Sequence, residues 1–91
     1  MQIGDQVTLT RAMLGNDVGT IGYVFTEYTD FDDRKKVGVQ IIFKNGNLDG
    51  FSVKEQENYL KFVRHVNQYE NYIFNNVMQV ERDFRKGYWV F

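Results

Sequence analysis

The chain has no cysteine and no proline, and it has a single histidine, His65, a single serine, Ser52, and a single tryptophan, Trp89. Without cysteine there are no disulfides, thiolate metal sites or cysteine nucleophiles. One imidazole cannot make a histidine-rich metal cluster, so His65 is assigned to the surface or a strand edge. No apolar run approaches the roughly eighteen residues that span a bilayer. Met1 to Asp5 carries neither a basic region nor an apolar core, so no signal peptide is visible, and a cytoplasmic, membrane-free protein is expected. An excess of one charge is also lacking: eleven basic and twelve acidic side chains leave a formal charge of −1. Nucleic-acid binders usually carry a basic excess or stripe, so charge disfavours a phosphate-backbone partner.

What is present suffices for one core. Ninety-one residues, 43% hydrophobic and 16% aromatic, make a single domain near the small end of what folds unaided. Global disorder is not expected at this composition. The size also suits a gene carried by a phage or other mobile element.

Gly15-Asn16-Asp17-Val18-Gly19-Thr20-Ile21-Gly22-Tyr23-Val24 is the stretch around which the chain is organised. A polar loop leads directly into a strand with a glycine inside it, the usual mark of a bulge or tight bend. Before it, Ile3, Val7 and Leu9 share one parity against Gln6, Thr8 and Thr10, the signature of a half-buried strand over 3–10. A second strand is predicted from about Val18 to Glu27, with Ile21 and Val24 facing inward. They are three apart, so a bulge is placed at Gly22. Tyr28 to Lys36 reads as a loop. Val37, Val39, Ile41 and Phe43 give the clearest alternation, and Asn45-Gly46 next to them signals a type I′ hairpin. Leu48–Val53 is then the returning strand, Lys54–Glu57 a single helical turn and Tyr59–Val63 a closing strand. Five short strands in this arrangement describe an SH3-like barrel over 1–64, whose closure removes exposed edges.

Beyond Arg64 the period changes. Val66, Tyr69, Ile73, Val77, Val80 and Phe84 recur three or four apart, as on one helical face. The spacing predicts a helix from about Asn67 to Lys86, capped by Asn67 and stopped by Gly87. The alternative makes Asn75-Asn76 a turn between strands Tyr72–Phe74 and Val77–Val80. Gly87-Tyr88-Trp89-Val90-Phe91 is an apolar tail. The expected fold is therefore α+β, mostly β: a five-stranded SH3-like barrel with one long helix and the tail over 65–91 packed on it.

Gly4-Asp5-x-Val7-x-Leu9, followed by Gly15-x-x-x-Gly19-x-x-Gly22-x-Val24, resembles the KOW pattern of transcription and ribosomal proteins. Asn16-Asp17-Val18-Gly19-Thr20-Ile21, with Val37-x-Val39-x-Ile41-x-Phe43 and Gly50-Phe51, is similar to the stromal accessory subunit of photosystem I (subunit IV). The variable chain of ferredoxin–thioredoxin reductase has a similar barrel. The resemblance covers about Ile3 to Val63 and implies a non-catalytic docking module. It leaves the C-terminal third without a counterpart.

No catalytic constellation emerges from the candidate residues. Ser52 lies in Gly50-Phe51-Ser52-Val53, outside a Gly-x-Ser-x-Gly elbow, and His65 stands thirteen residues along. Asp30, Asp32 and Asp33 lack the frame of a calcium loop and are followed by Arg34, Lys35 and Lys36. No enzyme, cofactor or metal is expected. The first expectation is a protein-binding or adaptor module, and the second is a KOW-like nucleic-acid or ribonucleoprotein binder. Partner contacts are assigned to Arg11, Tyr23, Tyr28, Phe31, Arg34, Lys35 and Lys36, with the aromatics as a stacking platform. Trp89 and Phe91 are assigned to self-association in a homodimer, because aromatic anchors are enriched at such contacts.

Overall fold

A computed structural model describes residues 1–29 and 36–91. Five antiparallel strands, β1 (Asp5–Leu9), β2 (Ile21–Thr29), β3 (Val37–Phe43), β4 (Leu48–Phe51) and β5 (Leu60–His65), form one sheet in the order β4-β3-β2-β1-β5. Among the described residues no ladder joins β4 to β5, so the sheet is open rather than closed into the expected barrel. Helix α1 (Val53–Tyr59) runs from one edge strand to the other, and α2 (Val77–Arg85) lies near the C-terminus.

The sheet is apolar on both faces, and this arranges everything else. One face packs Val7, Leu9, Val24, Val39, Ile41, Phe43, Phe51 and Leu60 into a first core. The other carries Tyr23, Phe25 and Ile42, which meet Tyr69, Tyr72, Val80 and Trp89 from the C-terminal third in a second core. Val39, Ile41 and Phe43 alternate into the first core as the sequence predicts, whereas Val37 at the start of the strand is exposed and Ile42 serves the second face.

β2 corrects the sequence reading in two ways. Ile21 and Val24 do not share a face, since Ile21 packs on the second core and Val24 lies in the first. The bulge is not at Gly22: the β2–β3 register slips between Val24, opposite Ile41, and Thr26, opposite Gln40, leaving Phe25 as the extra residue. The slip delivers a fully buried ring to the second face, 5.5 Å from Phe74 and 6.3 Å from Trp89 between centroids. Gly22 serves packing instead. A Cβ there would stand 2.6 Å from Ile41 Cγ2 and 2.9 Å from Phe43 Cδ1, inside the first core.

The β3–β4 connection is a hairpin at the expected place but of another type. A type I′ turn needs positive φ at both central residues, and among the described residues outside glycine only Leu14 has it. Gly46 alone is left-handed here, at φ 89°, with its N–H donating to the Phe43 carbonyl at 2.8 Å. Phe43 N–H in turn donates to the Asn47 carbonyl, giving a three-residue loop that ends in glycine.

The single helix expected from Asn67 to Lys86 is not formed, and neither is the alternative hairpin. The segment makes a 3-10 turn at Asn67–Tyr69, a stretch over 72–76 that is neither helix nor strand, and only then α2. The cap is Asn76 rather than Asn67, its side-chain oxygen accepting from Gln79 N–H at 2.8 Å. Ile73 is 74% exposed, which breaks the proposed helical face. Tyr72 and Phe74 both pack their rings on Phe25, at 6.4 and 5.5 Å between centroids. Gly87 ends α2 as expected, donating to Phe84 while Tyr88 donates to Asp83.

The tail packs on its own chain. Val90 N–H donates to Tyr69 Oη at 2.9 Å, and the Val90 carbonyl accepts from Tyr23 Oη. These two phenols hold the tail as a neighbouring strand would. Trp89 is buried beside Phe25 and Tyr72, with its Nε1–H unpaired among the described residues. Such an orphan costs about 1–3 kcal/mol, a loss offset by the indole area removed from water.

Candidate functional site

With both faces covered, the edges of the sheet are what it can offer. The β4 edge is four residues long and partly buried. The β5 edge is longer and open: Lys61, Phe62, Val63 and Arg64 are all exposed, Phe62 to 52% and Val63 to 47%. An open edge presents a row of backbone donors and acceptors, and folded proteins usually shorten, charge or cover it.

Local geometry sets how β5 displays its side chains. Ser52 caps α1 by accepting from Glu55 N–H, while Glu55 returns a carboxylate to Ser52 N–H, and the helix delivers Leu60 into the first core opposite Leu9. The ladder with β1 then pairs Lys61 with Thr8, Phe62 with Val7 and Arg64 with Gln6, so Val63 is an extra residue. Thr8 and Gln6 are two apart and share a face of β1. The bulge therefore puts Lys61 and Arg64 on one face of the edge although they are three apart in sequence.

Arg64 is held in place. Its Nε donates to Gln6 Oε1 at 2.9 Å, and Gln6 Nε2 donates to Tyr23 Oη at 3.2 Å, linking the edge to the tail through Tyr23 and Val90. Arg11 stands at the foot of the strand, its guanidinium carbon 5.4 Å from the centre of the Tyr59 ring.

At the far end of β5 is a second cluster. His65 Nδ1 lies 2.7 Å from Asp5 Oδ1 and Nε2 lies 2.8 Å from Glu70 Oε2. Hydrogen bonds to Glu70 first and Asp5 second raise the imidazole pKa above its ordinary value, because both stabilise the cation. The cluster ties β1 and β5 to the 3-10 turn. Ser52 thus caps a helix, and both nitrogens of His65 are hydrogen-bonded to carboxylates.

The organising loop makes an open polar hollow lined by Gly15, Asn16, Asp17, Thr20, Lys44 and Asn45. Leu14 sits at φ 51°, strained for a branched side chain, with its carbonyl accepting from Asn45 Nδ2 at 3.4 Å and Asn47 Nδ2 at 2.6 Å. These bonds tie the loop to the β3–β4 hairpin.

Among the described residues, the sequence-assigned contacts Arg11, Tyr23, Tyr28 and Lys36 do not form one exposed surface. Tyr23 is buried in the second core with its hydroxyl engaged, so it is no stacking platform. Tyr28 is half-buried across from Gly38, whose missing Cβ would meet the ring at 2.2 Å. Lys36 is exposed just before β3, and Arg11 is exposed beside α1. Phe31, Arg34 and Lys35, like Asp30, Asp32 and Asp33, lie outside the described residues. Trp89 is inside the second core and offers no surface to a second copy, whereas Phe91 is half-buried against Tyr23 and Phe84. The β5 edge was missed as a unit. Its signal was Lys-Phe-Val-Arg, an apolar pair between two cations.

Among the described residues no helix is long and apolar enough to cross a membrane. No protein-family model, curated protein or solved structure matches the chain.

Proposed function

We propose that this chain is a non-catalytic protein-binding module, an SH3-like barrel opened between β4 and β5 that docks a partner along β5. The observation that carries the reading is the exposure of Phe62 and Val63 on an unpaired edge, in a sheet whose two faces are already packed. The strand order, with α1 between the edge strands, supports the barrel reading. Cationic Arg11, Lys61 and Arg64 around the edge also suit a phosphate backbone, which keeps the KOW-like nucleic-acid reading as the second one.

Panning a displayed random-peptide library on the immobilised full chain, alongside titration with a single-stranded oligonucleotide, separates the two. Enriched peptides whose binding is lost on Phe62→Lys support the module. No enrichment, together with oligonucleotide binding that falls steeply with salt as counterions are released, overturns it.

A further inference from the structure

We infer that the β5 edge accepts an extended segment with an acidic–apolar–acidic triplet, added to the sheet as a sixth strand. The inference rests on the protein-binding reading above and names the partner's chemistry. The bulge at Val63 places Lys61 and Arg64 on one face, opposite Thr8 and Gln6, with Phe62 directed to the other face opposite Val7. An incoming strand alternates its side chains by the same rule. Its first and third residues therefore face the two cations, and its middle residue lies beside Phe62.

Charge decides the signs. Lys61 forms no ion pair among the described residues, and Arg64 spends only Nε on Gln6, so its two Nη groups remain for an incoming carboxylate. Gln6, itself 8% exposed and bonded to Tyr23, fixes the guanidinium before any partner arrives. That lowers the ordering cost of binding.

The same charges disfavour a second copy of this chain. Antiparallel pairing of β5 with its own twin about the Phe62–Val63 midpoint sets Lys61 opposite Arg64 twice, and like charges directly opposite are destabilising. That register is therefore disfavoured between two copies, while an acidic strand meets both cations with opposite charge.

The test uses fluorescein-labelled heptapeptides centred on Glu-Val-Glu, Gln-Val-Gln or Lys-Val-Lys, titrated by anisotropy into the full chain and into K61E/R64E. Two cross-strand charge pairs correspond to a preference of about tenfold or more for the glutamate peptide over the lysine peptide. The order should invert in K61E/R64E. In the unaltered chain, the glutamate peptide should slow amide exchange at residues 61–64, an arm that needs no variant. Equal affinities, a preference untouched by K61E/R64E, or slowing elsewhere overturns the inference. If panning has enriched peptides that bind at another surface, the module survives and only the strand-addition site falls. Exchange at 61–64 that slows with protein concentration alone assigns the edge to a second copy. Displacement of the peptide by an oligonucleotide in a steeply salt-dependent way assigns it to nucleic acid. Both outcomes overturn the acidic-strand partner.

Discussion

Replacing Phe25 by alanine tests whether the second core is structural rather than decorative. Phe25 is fully buried and projects from the bulge into the rings of Tyr72, Phe74 and Trp89. Removing a buried phenyl ring costs about 3–5 kcal/mol, the lost transfer energy plus a cavity the neighbours only partly fill. A chain of 91 residues has a total stability of roughly 5–14 kcal/mol. The substitution therefore removes a large fraction of it, and at about 4–8 °C per kcal/mol it lowers Tm by roughly 12–40 °C. Trp89 supplies the probe, since its ring centroid is 6.3 Å from that of Phe25 and its emission reports on this core. Urea and thermal unfolding followed by that emission should show the loss. Ile73→Ala, at a site 74% exposed in the same segment, should stay within about 0.5 kcal/mol. A Phe25→Ala cost below about 1 kcal/mol, or one matched by Ile73→Ala, would refute the two-core account.

Gly46→Val should cost about 1–3 kcal/mol because it forces a β-branched residue to positive φ. Its Cβ would also press on Phe84 Cε1 at 3.0 Å, so an unchanged urea midpoint would contradict the turn. Stability should depend on His65. Its raised folded pKa means that its contribution is complete below the unfolded value near 6.5 and disappears as pH climbs through the folded one. Tm should accordingly be lower at pH 9 than at pH 6, and His65→Gln should flatten that difference. Deleting residues 88–91 should lower Tm while light scattering shows the same number of chains per particle. A dimer that becomes a monomer on deletion would return the tail to self-association.

The parts of the fold legible in the sequence were those governed by local pattern. β3 showed through strict alternation, the hairpin through Asn45-Gly46, and the stop of α2 through Gly87. What escaped notice depended on partners distant in sequence. The spacing from Val66 to Phe84 imitates a helix because Tyr69, Val80 and Phe84 do pack inward, yet Tyr72 and Phe74, which that spacing leaves out, pack on Phe25. The bulge went to Phe25 rather than Gly22 because a second buried face claimed the ring, and nothing near Phe25 announces that face. The candidate edge was obscured similarly. Lys61 and Arg64 look unrelated three apart, and only the ladder with β1 shows that they share a face.

The tail clasp has a consequence for how the chain folds. Tyr23 and Val90 meet across 67 residues, and Asp5 and His65 across 60, whereas the β3–β4 hairpin closes within a few residues. Loop-closure entropy must be met before distant contacts repay it, so the β2-β3-β4 meander is expected to form first, with β5 and the tail docking afterwards. Such topologies fold on the order of milliseconds to seconds. Through that interval Tyr23, Phe25 and Ile42 stand on an uncovered sheet face, and the time taken to dock the C-terminal third governs the chain's exposure to aggregation.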